Sequence, residues 1–215
     1  MKVIGISGLS RCGKDLFTSV AQNILENDYN IKTDRHALAF ELKKDLDDLI
    51  SLKTGIDVFT NDTKEKNIIR PLLVSYGDMM RKISEGKYWT NKVNDRIKES
   101  DVDVFFVTDI RYHFYPEDEV TWLKKKLLGN LIHVTRYKMD SAPSRRYVTT
   151  SKPLKIYDNP PNDHEMLNNP KLKKSADYSF EWEDMSDRYN SVDELVNSDY
   201  IREKVIESLK YIKVL

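Results

Sequence analysis

The first fifteen residues restrict the fold more than any other part of this chain. Val3-Ile4-Gly5-Ile6 is a short, continuous and β-branched apolar run, as expected of a strand buried on both faces. Gly8-Leu9-Ser10-Arg11-Cys12-Gly13-Lys14-Asp15 follows it and fits the pattern G-x-x-x-x-G-K. Leu16, Val20, Ile24 and Leu25 then recur at helical spacing to about Asn27. A strand, a glycine turn and a helix in that order predict a cradle for phosphate: main-chain N–H groups approach an anion where a Cβ would block them, and the helix start faces it. Gly8, Ser10, Arg11, Cys12, Gly13, Lys14 and Asp15 are therefore the candidate nucleotide-binding set, with the Lys14 ammonium following the transferred charge. The alternative is an ordinary glycine-rich turn, and the flanking strand and helix argue against it.

Asp15 stands where such loops usually carry Ser or Thr, whose hydroxyl binds Mg²⁺. A carboxylate can hold the ion directly or through water, which makes Asp15 the candidate metal residue. It can equally be a favourable charge in a first helical turn, worth about 0.3–1 kcal/mol.

Beyond the loop, His36 to Phe40 reads as a second short strand, and Leu42 to Leu52 as a helix ending near Gly55. Ile56 to Asn67 reads as a polar connection. Helical spacing resumes from Ile69 to Ile83, with Arg70 at its opening and Arg81 three turns on, and again through Trp89, Val93 and Ile97. Val102 to Val107 is a strongly apolar strand closed by Thr108-Asp109. A helix through Val120, Leu123 and Leu127 and a strand from Leu131 to Val134 come next. From Arg136 to about Lys174 the pattern dissolves into proline and charge, the composition of a lid or a disordered loop. Asp177 to Trp182 reads as a last strand and Val192 to Ile212 as a closing helix. Strands alternating with helices predict an α/β domain with a mostly parallel sheet covered on both faces.

Composition excludes several classes. Lys and Arg total 35 and Asp and Glu total 35, so no basic excess marks a nucleic-acid binder. No run approaches the roughly twenty apolar residues of a membrane span. Cys12 is the only cysteine, which rules out an internal disulfide and suits a reducing cytoplasm, a host's cytoplasm if the source is viral. A homodimer is left open. Asn91-Lys92-Val93-Asn94 only approaches the base-reading N-K-x-D of GTPase switches, and D-x-x-G is absent. His164-Glu165 lacks the second histidine of a zinc motif.

Phosphoryl transfer remains, and its catalysis is mostly positioning and charge neutralisation. Arg70, Arg81, Arg111 and Arg136, with Arg145, Arg146 and Lys152 in the lid, are candidates to grip phosphates near strand ends. Singly, each reads as a solvated surface charge. Asp109 ends an apolar strand, where it can meet the Mg²⁺ water shell or the acceptor, or simply cap the next turn.

Four blocks carry a resemblance: Gly8 to Asp15 with its G-K-D ending; Arg70 through Gly77-Asp78 to Tyr88-Trp89; Val107-Thr108-Asp109-Ile110-Arg111; and Leu131 to Arg136. Together they resemble the deoxynucleoside monophosphate kinases of tailed bacteriophages and, more distantly, the phosphomevalonate kinases of animals. The resemblance implies a single three-layer α/β/α P-loop kinase domain with an acceptor-binding helical insert at about 41–98 and a lid at about 136–175. It implies ATP and Mg²⁺ as cofactors and a small-molecule nucleotide substrate. Lys14, Arg70, Asp109, Arg111 and Arg136 would act in catalysis, and Arg70, Gly77, Asp78, Arg81, Trp89 and Asp109 would line the acceptor site. Trp89 can stack on a base or pack in the core. A kinase of another phosphorylated metabolite and an acceptor-free ATPase are the rival expectations.

Overall fold

The structure is a computed structural model, which describes residues 1–139, 154–185, 188–189 and 191–215. Arg145, Arg146 and Lys152 lie outside the described residues.

Its centre is a six-stranded sheet. β1 (Lys2–Ser7) lies between β3 (Val104–Ile110) and β4 (Asn130–Met139), and β2 (Thr33–Ala37) flanks β3. All of these pairs are parallel. β6 (Tyr178–Glu183) runs parallel along the other edge of β4, while β5 (Lys155–Tyr157) returns antiparallel on its last residues. The mostly parallel sheet is as the alternation of strands and helices predicts.

Successive strand residues point to opposite faces, and each face has its own core. Ile4, Ile6, Val104, Phe106, Ile132 and Val134 pack under α1 (Lys14–Tyr29), α7 (Val192–Val196) and α8 (Asp199–Tyr211). Val3, Phe105, Val107 and Leu131 pack under α2 (Leu38–Thr54), α4 (Lys87–Glu99) and the short α5 (Glu119–Thr121) with its five-residue π turn. Phe105 and Phe106 are fully buried on opposite faces, each contributing about 1.5–3 kcal/mol. α3 (Thr63–Ile83) joins α2 around a small separate core of Leu46, Ile50, Val58 and Ile69.

Several boundaries differ from the sequence expectation. β2 begins three residues earlier than His36 and ends where α2 starts at Leu38, because its partner β3 sets its register and its own residues are mostly polar. α3 starts at Thr63, since the Asp62 side chain accepts from the N–H groups of Lys64 and Glu65 and caps it there. Arg70 therefore lies inside α3, not at its opening. The proline-rich stretch holds a full helix, α6 (Asp163–Ser175). Only Leu172 of that helix is buried, so it offers no apolar periodicity to read. A legible signal was present: Asn162 caps its start and Glu165 follows three residues on, a capping box. The single closing helix expected at Val192–Ile212 is two helices, parted at Asn197-Ser198.

Candidate functional site

The ends of β1, β3 and β4 share one edge of the sheet, and the glycine turn crosses it. Gly8 has φ 139° and Gly13 φ 97°, which lets the chain double back before α1. The turn is fastened from below. The Cys12 thiol donates to the Val134 carbonyl at 3.2 Å, and the Trp182 indole donates to the Cys12 carbonyl at 2.8 Å. Burial pushes the Cys12 thiol up to about 11, so it stays protonated and closed off. Lys14, the first residue of α1, is 8% exposed and folds back to donate to the carbonyls of Leu9 at 2.9 Å and Gly8 at 3.2 Å. Its ammonium lies 3.9 Å from Asp109.

Asp109 stands near the end of β3 with φ 64°, a left-handed conformation uncommon for a non-glycine residue, beside a break in the β1–β3 register. Burial alone would raise its pKa, yet the Arg111 guanidinium and the Lys14 ammonium hold it below the ordinary carboxylate value. Arg111 reaches Asp109 at 3.2 Å and Glu165 at 3.5 Å. The buried Nε of Arg111 has no partner among the described residues.

A cleft of about 280 Å³ joins the turn to α2 and α3, with α6 along one side. It gathers Gly8, Ser10, Arg70, Gly77, Arg81, Trp89, Asp109 and Arg111 of the residues expected from sequence. It also gathers Lys43, Lys66 and Glu119, which sequence reasoning passed over, and His164 and Glu165, which it weighed only as an incomplete zinc motif. Lys43 and Lys66 sit on α2 and α3 with no motif to mark them. Burial depresses the Lys43 pKa, and the nearby Lys66 charge adds to that.

The other expected residues lie differently. Arg11 and Asp15 are exposed. Asp78 sits beside the cleft, within 3.2 Å of Arg81 and 3.7 Å of His164. Arg81 is 6% exposed and already surrounded by Asp78, Asp118 and Glu119. It acts as a brace. Trp89 is 3% exposed, donates to the Gly77 carbonyl at 3.4 Å and meets Tyr76 and Tyr88 edge-on, which favours its core-packing role. Arg136 lines a separate cleft of about 160 Å³ on the β4 side of the turn, where it forms a bidentate pair with Asp158. His133 lines the same cleft, and burial pushes its pKa down to about 4, so the ring is neutral.

An anion already occupies part of the turn. The Glu165 carboxylate on α6 accepts from the Ser10 N–H at 2.7 Å and the Ser10 hydroxyl at 2.6 Å. The turn therefore fits an anionic group. If ATP binds at this turn, Glu165→Ala should tighten that binding, about tenfold for a carboxylate that leaves the turn open a tenth of the time. Titration calorimetry reads this directly, and equal or weaker affinity would count against the role. Among the described residues no group of three or more His, Cys, Asp or Glu could hold a metal ion. Mg²⁺ in phosphoryl transfer needs only one or two carboxylates beside the phosphates; Asp109, which lines the cleft, would offer that hard-oxygen chemistry, whereas exposed Asp15 lines neither cleft.

The family model described as phosphomevalonate kinase matches residues 6–128, more than half of the chain. The match runs from β1 through the π turn and so includes the glycine turn, α2 to α4 and the end of β3. No curated protein matches the chain.

Proposed function

The chain belongs to the phosphomevalonate kinase family, a family of kinases, and from that premise we propose that it transfers the γ-phosphoryl group of ATP to the phosphate of a nucleoside monophosphate, with a deoxynucleotide favoured. An acceptor phosphate oxygen attacks the γ-phosphorus, the bond to the β-phosphate oxygen breaks, and ADP and a nucleoside diphosphate leave. No protein nucleophile is needed.

The observation that carries this reading is the charge gathered at the larger cleft. Lys43, Lys66, Arg70 and Arg111 line it, and the first three form no ion pair among the described residues. Lys14, outside the lining, lies 3.9 Å from the cleft residue Asp109. Several cations around Asp109 suit two phosphate-bearing reactants meeting there. Arg111, whose Nε has no hydrogen-bond partner among the described residues, is suited to charge that develops on the transferring group. ATP and Mg²⁺ supply the phosphoryl group and its charge screening, while the protein's residues bind and orient.

The apolar part of the same lining supports a nucleotide. Leu38, Leu42, Val58, Ile69, Leu73 and Val74 present six aliphatic side chains to the cleft. The flat face of a nucleobase can cover such a wall, which supports the nucleotide reading. The family match favours the second reading, a phosphomevalonate-like metabolite as acceptor. A panel of deoxynucleotides and phosphorylated alcohols in a coupled ADP-release assay separates the two. ATP hydrolysis that no acceptor accelerates would sink both.

Arg70→Ala tests the acceptor end. It should raise acceptor KM about 10–100-fold, the loss of one charge-assisted contact of about 1.5–3 kcal/mol, while ATP affinity stays near normal. An equal loss of ATP affinity would refute that assignment.

A further inference from the structure

Glu119 opens α5 and is 2% exposed. One of its carboxylate oxygens accepts from the main-chain N–H groups of Arg111 at 2.6 Å and Tyr112 at 3.1 Å, and the other accepts from Arg81 Nη2 at 3.1 Å. Asp118, fully buried beside it, accepts from the N–H groups of Phe114 at 3.2 Å and Tyr115 at 3.3 Å and lies 3.5 Å from Arg81 Nε. The Arg81 guanidinium also stacks on the Tyr112 ring at 3.3 Å. The segment after β3 thus takes its amide partners from two neighbouring carboxylates instead of a strand. Both carboxylates are held by one arginine from α3.

We propose that Glu119 is a positioning residue, which fixes the main chain at Arg111 so that its guanidinium lies between Asp109 and Glu165, and which ties that placement to α3 through Arg81. The inference rests on the cleft being the site of phosphoryl transfer. Arg111 lies just beyond a strand whose penultimate residue is left-handed and whose register breaks there, so the strand ladder does not hold its main chain. Charge-assisted bonds to a buried carboxylate supply the missing restraint. Misplacing a reacting group by about 1 Å can cost about 100-fold in rate.

Charge on Glu119 matters to this grip. Burial pushes its carboxyl up to about 7, opposed by the Arg81 guanidinium and the Arg111 N–H and aided by Asp118. The groups facing it are Arg81 and Asp78 from α3, Asp118 on its own turn, and Arg111 and Tyr112 from the segment after β3. Protonation removes the charge that Arg81 meets, so the hold on Arg111 loosens as pH falls through that value. The stability sign is opposite. The folded chain holds the proton more tightly than the unfolded chain, whose ordinary value is 4.5, so this group's contribution to stability falls as pH rises from 4.5 to about 7.

Glu119→Gln, close in shape but neutral, tests the proposal. We expect kcat to fall about 10–100-fold with ATP affinity within about twofold of the parent, and the acidic limb of the kcat–pH profile near neutrality to disappear. Parent-like kcat with the limb retained would overturn the proposal, as would a loss confined to ATP binding. Hydrogen exchange on the unsubstituted protein gives a test without acceptor or variant: the Arg111 and Tyr112 amides should exchange only on global unfolding. Fast local exchange there would also overturn it, whether or not Glu119→Gln folds. Because exchange needs no substrate, an acceptor panel that fails while the amides stay protected would indict the functional reading and leave the role of Glu119 in holding the main chain intact.

Discussion

Lys14→Ala should lower turnover by roughly 10²–10³ while the protein stays folded, the scale seen when one preorganised group facing developing charge is removed. The side chain is buried, yet in the resting structure its ammonium meets two turn carbonyls and lies at the edge of ion-pair distance from Asp109. Those contacts are modest; losing them costs about 1–2 kcal/mol, and alanine is well suited to a first helical turn. Catalysis and stability therefore separate in this variant. A coupled ADP-release assay beside a thermal melt reads both, and unchanged turnover would remove Lys14 from the chemistry.

Gly8→Ala should instead cost stability and nucleotide binding together. A Cβ at this position would lie 2.3 Å from the Val134 carbonyl oxygen and 2.7 Å from the Cys12 sulfur, on a backbone with φ 139°. The first of these neighbours is main chain of β4 and cannot rotate aside. A loss of about 3 kcal/mol or more follows, in the range of severe single substitutions. Gly55→Ala supplies the contrast. It caps α2 at φ 71° with nothing within 4 Å of the added carbon, so only backbone strain of about 1 kcal/mol remains. Urea midpoints for the two variants should differ clearly, and equal shifts would mean the turn yields more readily than its contacts imply.

What was legible in the sequence was whatever local spacing encodes. The Gly8 and Gly13 pair, Lys14, and the apolar strand ending in Asp109 and Arg111 could be placed because each belongs to one element with its own pattern. The parallel sheet was legible for the same reason. Lys43, Lys66, Glu119 and Glu165 were not, since each reaches the site only through packing between elements. Glu165 rides on a helix with one buried side chain, and nothing along the chain distinguishes Glu119 from its charged neighbours. Arg81 and Trp89 do line the cleft, but their side chains are taken up by burial and by partners that come from elsewhere in the fold.

The carboxylate of Glu165 on the glycine turn has a consequence for selectivity among ligands. A group held on its own helix competes as though present at an effective concentration of about millimolar or more. A free monophosphate or sulfate ion, offering contacts like those it already makes, gains little by replacing it. On the proposed reading, a triphosphate would bring several charges to Lys14 and the turn at once, so a tethered acid that turns away lesser anions would still yield to the chain of phosphates.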